Sequence, residues 1–204
     1  MEIVAEKSVQ RGRPREFDPQ EALAAALQVF WRRGFEGASL TELTAAMGIT
    51  RPSLYACFGN KEALFRKALD LYEREKLAYV REALKAPTAR GVAEHLLRGV
   101  LAMQTSACDP KGCLGVIASV ACGTEAESIR SEVLARRASA DAALIFRFVQ
   151  AKADGHLPDG IDPEALARYL YAIMQGLTVQ AGNGAAPQDL TQLVETALAV
   201  WPGR

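Results

Sequence analysis

Between Ser39 and Glu62 the chain reads SLTELTAAMGITRPSLYACFGNKE, and three helix starts follow one another within those 24 residues. Ser39-Leu40-Thr41-Glu42 is a capping box: a hydroxyl that accepts from an orphan N–H of the first turn, and a glutamate that reaches back. Gly48 ends that helix, because glycine enters the left-handed region without a Cβ penalty. Thr50 caps the next helix, with Pro52 in the first turn where its missing N–H costs nothing. Asn60 then caps another. This punctuation leaves room only for two short helices about a tight turn, with Leu40, Leu43, Met47, Ile49 and Leu54 facing inward. Ala45 and Ala46 are expected where the two helices cross, small enough for a close approach.

The remaining segments also carry a helical period, and no sustained alternation marks a sheet. Asp18-Pro19-Gln20-Glu21 opens a first helix with the apolar stripe Leu23, Ala26, Leu27 and Phe30, ending at Gly34. The helix capped by Asn60 is expected to run through Leu64, Leu69, Leu71 and Leu77 to about Lys85. Beyond Pro87 the texture turns to alanine and leucine. Helices are expected over about 88–107, after CDPKGC, over about 124–154 from the box Thr124-Glu125-Ala126-Glu127, over 163–182 from Asp162-Pro163, and from Pro187 to Trp201. The predicted fold is all-α: a helix-turn-helix three-helix bundle followed by a larger helical domain. The expected boundaries are a flexible basic arm over 1–16, the helix-turn-helix domain over 17–60, and the larger domain over 61–204.

The 204 residues hold 24 basic and 24 acidic side chains, and half of the residues are hydrophobic, which suits a sizeable core. Zero net charge argues against a general nucleic-acid coat but leaves a local patch open. Apolar runs such as LGVIASVA from Leu114 fall far short of the roughly 18 residues that spanning a bilayer takes. No signal-peptide region precedes residue 30, so the cytoplasm is the expected location, with no membrane partner and with the four cysteines reduced.

Two short helices about a glycine turn hold the second one proud of the surface, a shape that enters the major groove of double-stranded DNA. Its outer face carries Arg51, Pro52, Ser53, Tyr55 and Ala56. Arg51 and Ser53 are the candidates for base edges, arginine to guanine being the commonest specific pair. Ahead of the first helix, Lys7, Arg11, Arg13 and Arg15 lie between Glu6 and Glu16, and a short basic arm of this kind can follow the minor groove.

Leu54-Tyr55-x-x-Phe58 followed by Lys61-Glu62-x-Leu64 resembles the end of the DNA-binding region of the TetR/AcrR transcriptional regulators. The likeness is strong over about residues 12–65 and continues as helix pattern and overall length. It implies phosphate contacts for Tyr55 and Lys61, and a place near the DNA backbone for Ser39 and Thr41 at the second helix's start, with Thr50 in the same set. Unpaired N–H groups and the dipole at helix N-termini favour phosphate at such positions. Ala56 departs from the larger residue that many relatives carry, which points to fewer direct base contacts there, or to a methyl contact with thymine.

The resemblance also implies a homodimer whose larger domain holds a small-molecule effector, with repression as the usual sense. Leu170, Met174, Leu177, Val194, Leu198 and Trp201, recurring at helical spacing in the last two helices, are the expected dimer seam, and Gly176 would allow a close approach there. Met103, Gln104, Cys108, Cys113, Phe146, Tyr169, Tyr171 and Gln175 are the expected pocket lining, since such sites are mostly apolar with a few placed polar groups. Cys108 and Cys113 flank a proline and glycine turn with Lys111 between them, which can bring the sulfurs together and favour a thiolate that senses oxidants or electrophiles. The plainer reading is two buried structural cysteines.

An enzyme finds no support in the motifs. There is no Gly-x-Ser-x-Gly elbow, no His-Glu-x-x-His and no phosphate-cradling loop, and no cofactor is implied. The Cys-x4-Cys spacing has no second pair and His95 and His156 lie far off, so no metal is expected. A scaffold that binds only protein would have no use for an outward Arg51, Tyr55 and Lys61 beside a basic arm.

Overall fold

A computed structural model describes residues 17–119 and 126–203 of the chain. These described residues form ten α-helices: α1 (Pro19–Gly37), α2 (Leu40–Met47), α3 (Arg51–Phe58), α4 (Lys61–Glu75), α5 (Ala78–Ala83), α6 (Ala89–Thr105), α7 (Leu114–Ser119), α8 (Glu127–Ala153), α9 (Pro163–Gly182) and α10 (Pro187–Ala199). No strand occurs among the described residues, in keeping with the all-α reading. No described helix is long and apolar enough to cross a membrane.

The caps read from the sequence set most of the helix starts. Side chains of Asp18, Ser39, Thr50, Asn60 and Asp162 each accept from a backbone N–H of the following first turn, and Thr88 caps α6 in the same way. Each such bond satisfies a donor that the helix itself leaves unpaired, a contribution of about 1 kcal/mol. Gly48 turns the chain left-handed at φ +65°, and its N–H closes on Ala45 and Thr44. In α1 the regular dihedrals break at Gly34, as expected, but one further turn carries the helix to Gly37.

Two expectations are corrected. The helix capped by Asn60 stops at Glu75 rather than Lys85, and α5 restarts after Leu77, although neither proline nor glycine stands there. Neighbours from elsewhere in the chain meet the break: the Tyr79 ring lies close against Gly99 of α6, and Lys76 turns to Asp109 at 2.7 Å. The box at Thr124 has its first two residues outside the described ones. Helix α8 itself starts at Glu127 behind Ala126, which makes no side-chain cap.

Helix α1 packs on α2 and α4, and its far side meets α7. Buried aromatics lock this joint. Phe30 and Phe35 meet Phe65 edge-on at 5.0 and 5.4 Å, and Trp31 meets Tyr72 at 4.8 Å. In the larger domain α6 packs on α5, α9 and α10, while α8 packs on α9. Leu170, Met174, Leu177, Val194, Leu198 and Trp201, expected at the dimer seam, are all buried inside the protomer here. They belong to the core of this domain, where α9 and α10 pack on α6.

Candidate nucleic-acid interface and internal cavity

Helix α3 is anchored by Leu54 and Phe58, both buried, which leaves Arg51, Pro52, Tyr55 and Ala56 exposed on the opposite face. Tyr55 is 49 % exposed, a large aromatic held outward by a rigid helix. Arg51 Nη2 donates to Thr41 Oγ1 at 2.7 Å, so the candidate base-reading guanidinium is tethered to α2. Thr50 and Ser53 are occupied with one another, their hydroxyls 2.9 Å apart, and the Ser53 N–H also donates to Thr50. Ser39 spends its hydroxyl on the Glu42 N–H at 3.0 Å. Lys61 holds its ammonium 4.6 Å from the centroid of the Phe35 ring, which fixes the charge beside the start of α4. Arg11, Arg13 and Arg15 lie outside the described residues.

Ala45 and Ala46, expected at the crossing of α2 and α3, are exposed instead. The side chains these two helices bury are Leu43, Met47, Leu54 and Phe58.

A cavity of about 500 Å³ opens inside the larger domain, walled by α4, α5, α6, α7, α8 and α9. Its wall is mostly apolar, with Leu69, Leu77, Val80, Leu96 and Val100 prominent. Of the residues expected to line a pocket, Met103, Cys113, Tyr171 and Gln175 do so. Four others do not. Gln104 is buried as a clamp, its amide giving and taking hydrogen bonds with the Gly112 backbone at 3.0 and 2.8 Å. Phe146 and Tyr169 point outward at 63 % and 45 % exposure, and Cys108 is exposed on its turn. Amphipathic spacing shows that Gln104, Phe146 and Tyr169 share helices with core residues, but not which side they face.

Residues that were not anticipated complete the wall. Tyr72 donates its hydroxyl to Cys113 Sγ at 3.4 Å. Burial pushes the Tyr72 hydroxyl well above its ordinary pKa, with the nearby sulfur adding to the effect. Tyr79 is raised likewise by burial and then by Cys113 and Tyr171, and Tyr171 by burial and then by Asp141. These tyrosines therefore stay neutral donors. Lys111, expected near a thiolate, instead donates to the Ser106 carbonyl of its own loop. A second, more open cleft of about 550 Å³ lies on the far side of the same wall, and Cys113, Val116 and Thr178 line both spaces.

Helix α4 joins the interface to this cavity. Its first turn carries Lys61, while Leu69, Tyr72 and Glu73 further along line the cavity. Ion pairs tie it to α8: Arg66 to Glu132 at 2.7 Å, and Arg136 to Asp70 and Glu73 at 2.7 and 2.9 Å, while Arg136 also pairs with Glu132 of its own helix at 2.7 Å. Burial pulls the Arg136 guanidinium down, but the hydrogen bonds it donates to Glu132, Asp70 and Glu73 outweigh it, so its pKa rises. Every member is partly exposed, so each pair adds at most about 1 kcal/mol, and the network registers α4 more than it stabilises it.

Residues 22–68 match the family profile of bacterial regulatory proteins of the tetR family, and residues 93–197 match the tetracyclin repressor-like C-terminal domain. The HTH-type transcriptional repressor ComR of Escherichia coli (strain K12) is 34 % identical over 195 residues, covering 94 % of this chain and 92 % of ComR. The HTH-type transcriptional repressor BdcR of the same organism is 48 % identical over 61 residues, 30 % of this chain and 31 % of BdcR. Among solved structures, the TetR family transcriptional regulator CifR, as a triple cysteine mutant complexed with 26 bp of double-strand operator DNA, superposes with a TM-score of 0.88. It is 43 % identical, covering 94 % of this chain and all of that one. The exposed α3, the capped turn before it and the matches along both domains lead to one conclusion: the chain belongs to the TetR family of bacterial regulatory proteins, helix-turn-helix transcriptional regulators that bind DNA.

Proposed function

We propose that this protein is a homodimeric, cytoplasmic repressor that holds operator DNA through α3 and the start of α4, and leaves it when an effector fills the cavity. One observation carries the reading. The fold that matches an operator-bound regulator across nearly the whole chain presents Arg51, Tyr55 and Ala56 outward on a helix pinned by Leu54 and Phe58. Residues 17–60 then form the reading head, residues 61–204 the sensing and dimerising body, and residues 1–16 an arm whose Arg11, Arg13 and Arg15 add minor-groove contacts.

In this assignment Tyr55 and Lys61 contact phosphate, Ser39, Thr41 and Thr50 seat the helix starts near the backbone, and Arg51 chooses sequence. The Thr41 tether supports Arg51, because a guanidinium already held in place loses less side-chain entropy on meeting a base. Ser53 contributes less, since its hydroxyl is already paired with Thr50. The dimer seam moves to the exposed face of α9, where Tyr169, Ala172, Gly176 and Val179 recur at helical spacing. There an added Cβ at Gly176 would meet nothing within 4 Å. Two-fold symmetry would set the heads about 34–36 Å apart.

The test is a mobility shift on the DNA upstream of the protein's own gene at two salt concentrations. A specific complex that weakens as salt rises is expected, as phosphate contacts release counterions. Tyr55→Ala and Lys61→Ala should each weaken binding about equally across sequences, whereas Arg51→Ala should cost about 1–3 kcal/mol and relax the preference at one position in a randomised-site selection. No specific complex with that or neighbouring promoter DNA would replace the reading with a protein scaffold, and an unchanged preference in Arg51→Ala would remove the base contact.

A second reading, that the effector reacts with a thiol, is favoured by the place of Cys113 in the wall shared by both spaces. Under native conditions iodoacetamide should alkylate exposed Cys108 first and Cys113 more slowly, and only Cys113→Ser should abolish release of DNA by an electrophile. Release from Cys113→Ser equal to that of the unsubstituted protein would sink this reading and leave reversible binding.

A further inference from the structure

Polar groups are few on the cavity wall, and most are already engaged. Glu73 pairs with Arg136 at 2.9 Å, and the Gln175 amide oxygen, in the orientation that satisfies both groups, accepts from Arg137 Nη1 at 2.7 Å. The hydroxyls of Thr178 and Ser139 donate to the Gln175 and Ala135 carbonyls of their own helices at 2.9 and 3.3 Å. Tyr72 donates to Cys113 Sγ, and Tyr171 has Asp141 beside it. Tyr79 differs. Its hydroxyl makes no hydrogen bond with a described residue, and it is not one of the buried polar atoms sealed off without a partner, so its oxygen can be reached. The groups that perturb it, Cys113 and Tyr171, both stand on the cavity wall, so that oxygen faces the cavity.

Packing and chemistry make this hydroxyl a prepared donor. The Tyr79 ring is seated against Gly99, where a Cβ would stand 2.1 Å from Cδ2, so the side chain has little freedom left to lose when a ligand meets it. Burial raises its pKa and keeps the proton in place. A hydrocarbon filling the cavity would shut the hydroxyl off from water and leave it unpaired, whereas an acceptor oxygen on the ligand restores the bond. Ions fit less well. A carboxylate would face Glu73 and Asp141 on the same wall and would have to take Arg136 or Arg137 from its partner, while Arg81 is exposed, where water screens any pair. An ammonium would exchange its hydration for a single phenol oxygen, since Asp141 Oδ1 is sealed and Glu73 is taken.

We propose that the cavity selects a neutral, mostly apolar carbonyl compound, whose oxygen accepts from the Tyr79 hydroxyl while its apolar body lies along Leu96, Val100 and Met103. This rests on reading the cavity as the effector site.

The test uses the full-length protein without DNA and two pairs of probes of about nine to fourteen heavy atoms, a size the cavity accommodates. Acetophenone is paired with isopropylbenzene, and benzophenone with 1,1-diphenylethane, so that a methyl replaces the oxygen in each pair. Calorimetry measures their binding to the unsubstituted protein and to Tyr79→Phe, which keeps the ring against Gly99 and removes only the hydroxyl. In Tyr79→Phe the ketones should lose about five- to tenfold in affinity, the equivalent of one hydrogen bond, while the hydrocarbons hold or gain. Hydrocarbon binding also shows that the variant keeps its cavity. Ketones that bind Tyr79→Phe as well as the unsubstituted protein, equal losses for both members of a pair, benzoate or 1-phenylethylamine binding more tightly than acetophenone, or no binding by any probe would overturn the assignment. Operator binding is measured separately with no probe present, so a failure there counts against the repressor reading alone.

Discussion

Replacing Trp31 by alanine should lower the thermal midpoint by roughly 6–20 °C at fixed protein concentration, the consequence of losing about 3–5 kcal/mol from a fully buried aromatic. Trp31 has no exposed surface, meets Tyr72 edge-on at 4.8 Å and donates its indole N–H to the Gly112 carbonyl at 3.1 Å. It thus binds α1 of the reading head to the loop that carries Cys113 and to α4 at the cavity. Trp31→Phe keeps an aromatic ring but loses the N–H and part of the indole's volume. Gly112 keeps its bond from Gln104, so the carbonyl is not orphaned, and the cost should fall between about 1 kcal/mol and that of the alanine variant. Chemical denaturation of both variants measures the difference. A midpoint for Trp31→Ala within a few degrees of the unsubstituted protein would mean that the head and body are held together elsewhere.

The reading head was far more legible than the body, and the reason is the range of the forces involved. A cap needs a side chain and an N–H two or three residues away, so Asp18, Ser39, Thr50, Asn60 and Asp162 announce their helices wherever the rest of the chain goes. The turn at Gly48 is equally local. The side chain that faces outward is not. Leu170 and Tyr169 are neighbours on α9, yet one is core and the other 45 % exposed, because the packing of α6, α8 and α10 decides which face is covered. Half of the cavity's polar lining lay beyond reach for the same reason: Arg137 and Asp141 on α8 belong to no motif, whereas Tyr171 and Gln175 on α9 were among the residues expected there. Gln104 is a sharper case, since a glutamine on an apolar stripe looks like a placed polar group in a pocket. Its amide instead holds the Gly112 backbone on both sides, and no spacing rule foretells that bond.

The break between α4 and α5 can be tested by its cause. A Cβ built on Gly99 would stand 2.1 Å from Tyr79 Cδ2 and 2.6 Å from Cγ, at the root of the ring, so turning the side chain cannot relieve it and the α5 backbone must move. Two effects of Gly99→Ala then oppose one another. Within α6, alanine gains up to about 1 kcal/mol over glycine in helix propensity. Overpacking against Tyr79 costs about 1–3 kcal/mol, so the clash should win and Gly99→Ala should destabilise. Removing the ring reverses the sign. In a Tyr79→Ala background nothing opposes the new methyl, and the same substitution should stabilise by about 1 kcal/mol. The coupling measured by this cycle in chemical denaturation should reach about 1–3 kcal/mol, typical of residues in direct contact. Additive effects would place the cause of the break outside the Tyr79 ring. Because Tyr79 lines the cavity, Gly99→Ala should also displace one wall of the proposed effector site while leaving α3 and its exposed face untouched, so operator affinity without effector should hold even as effector binding falls.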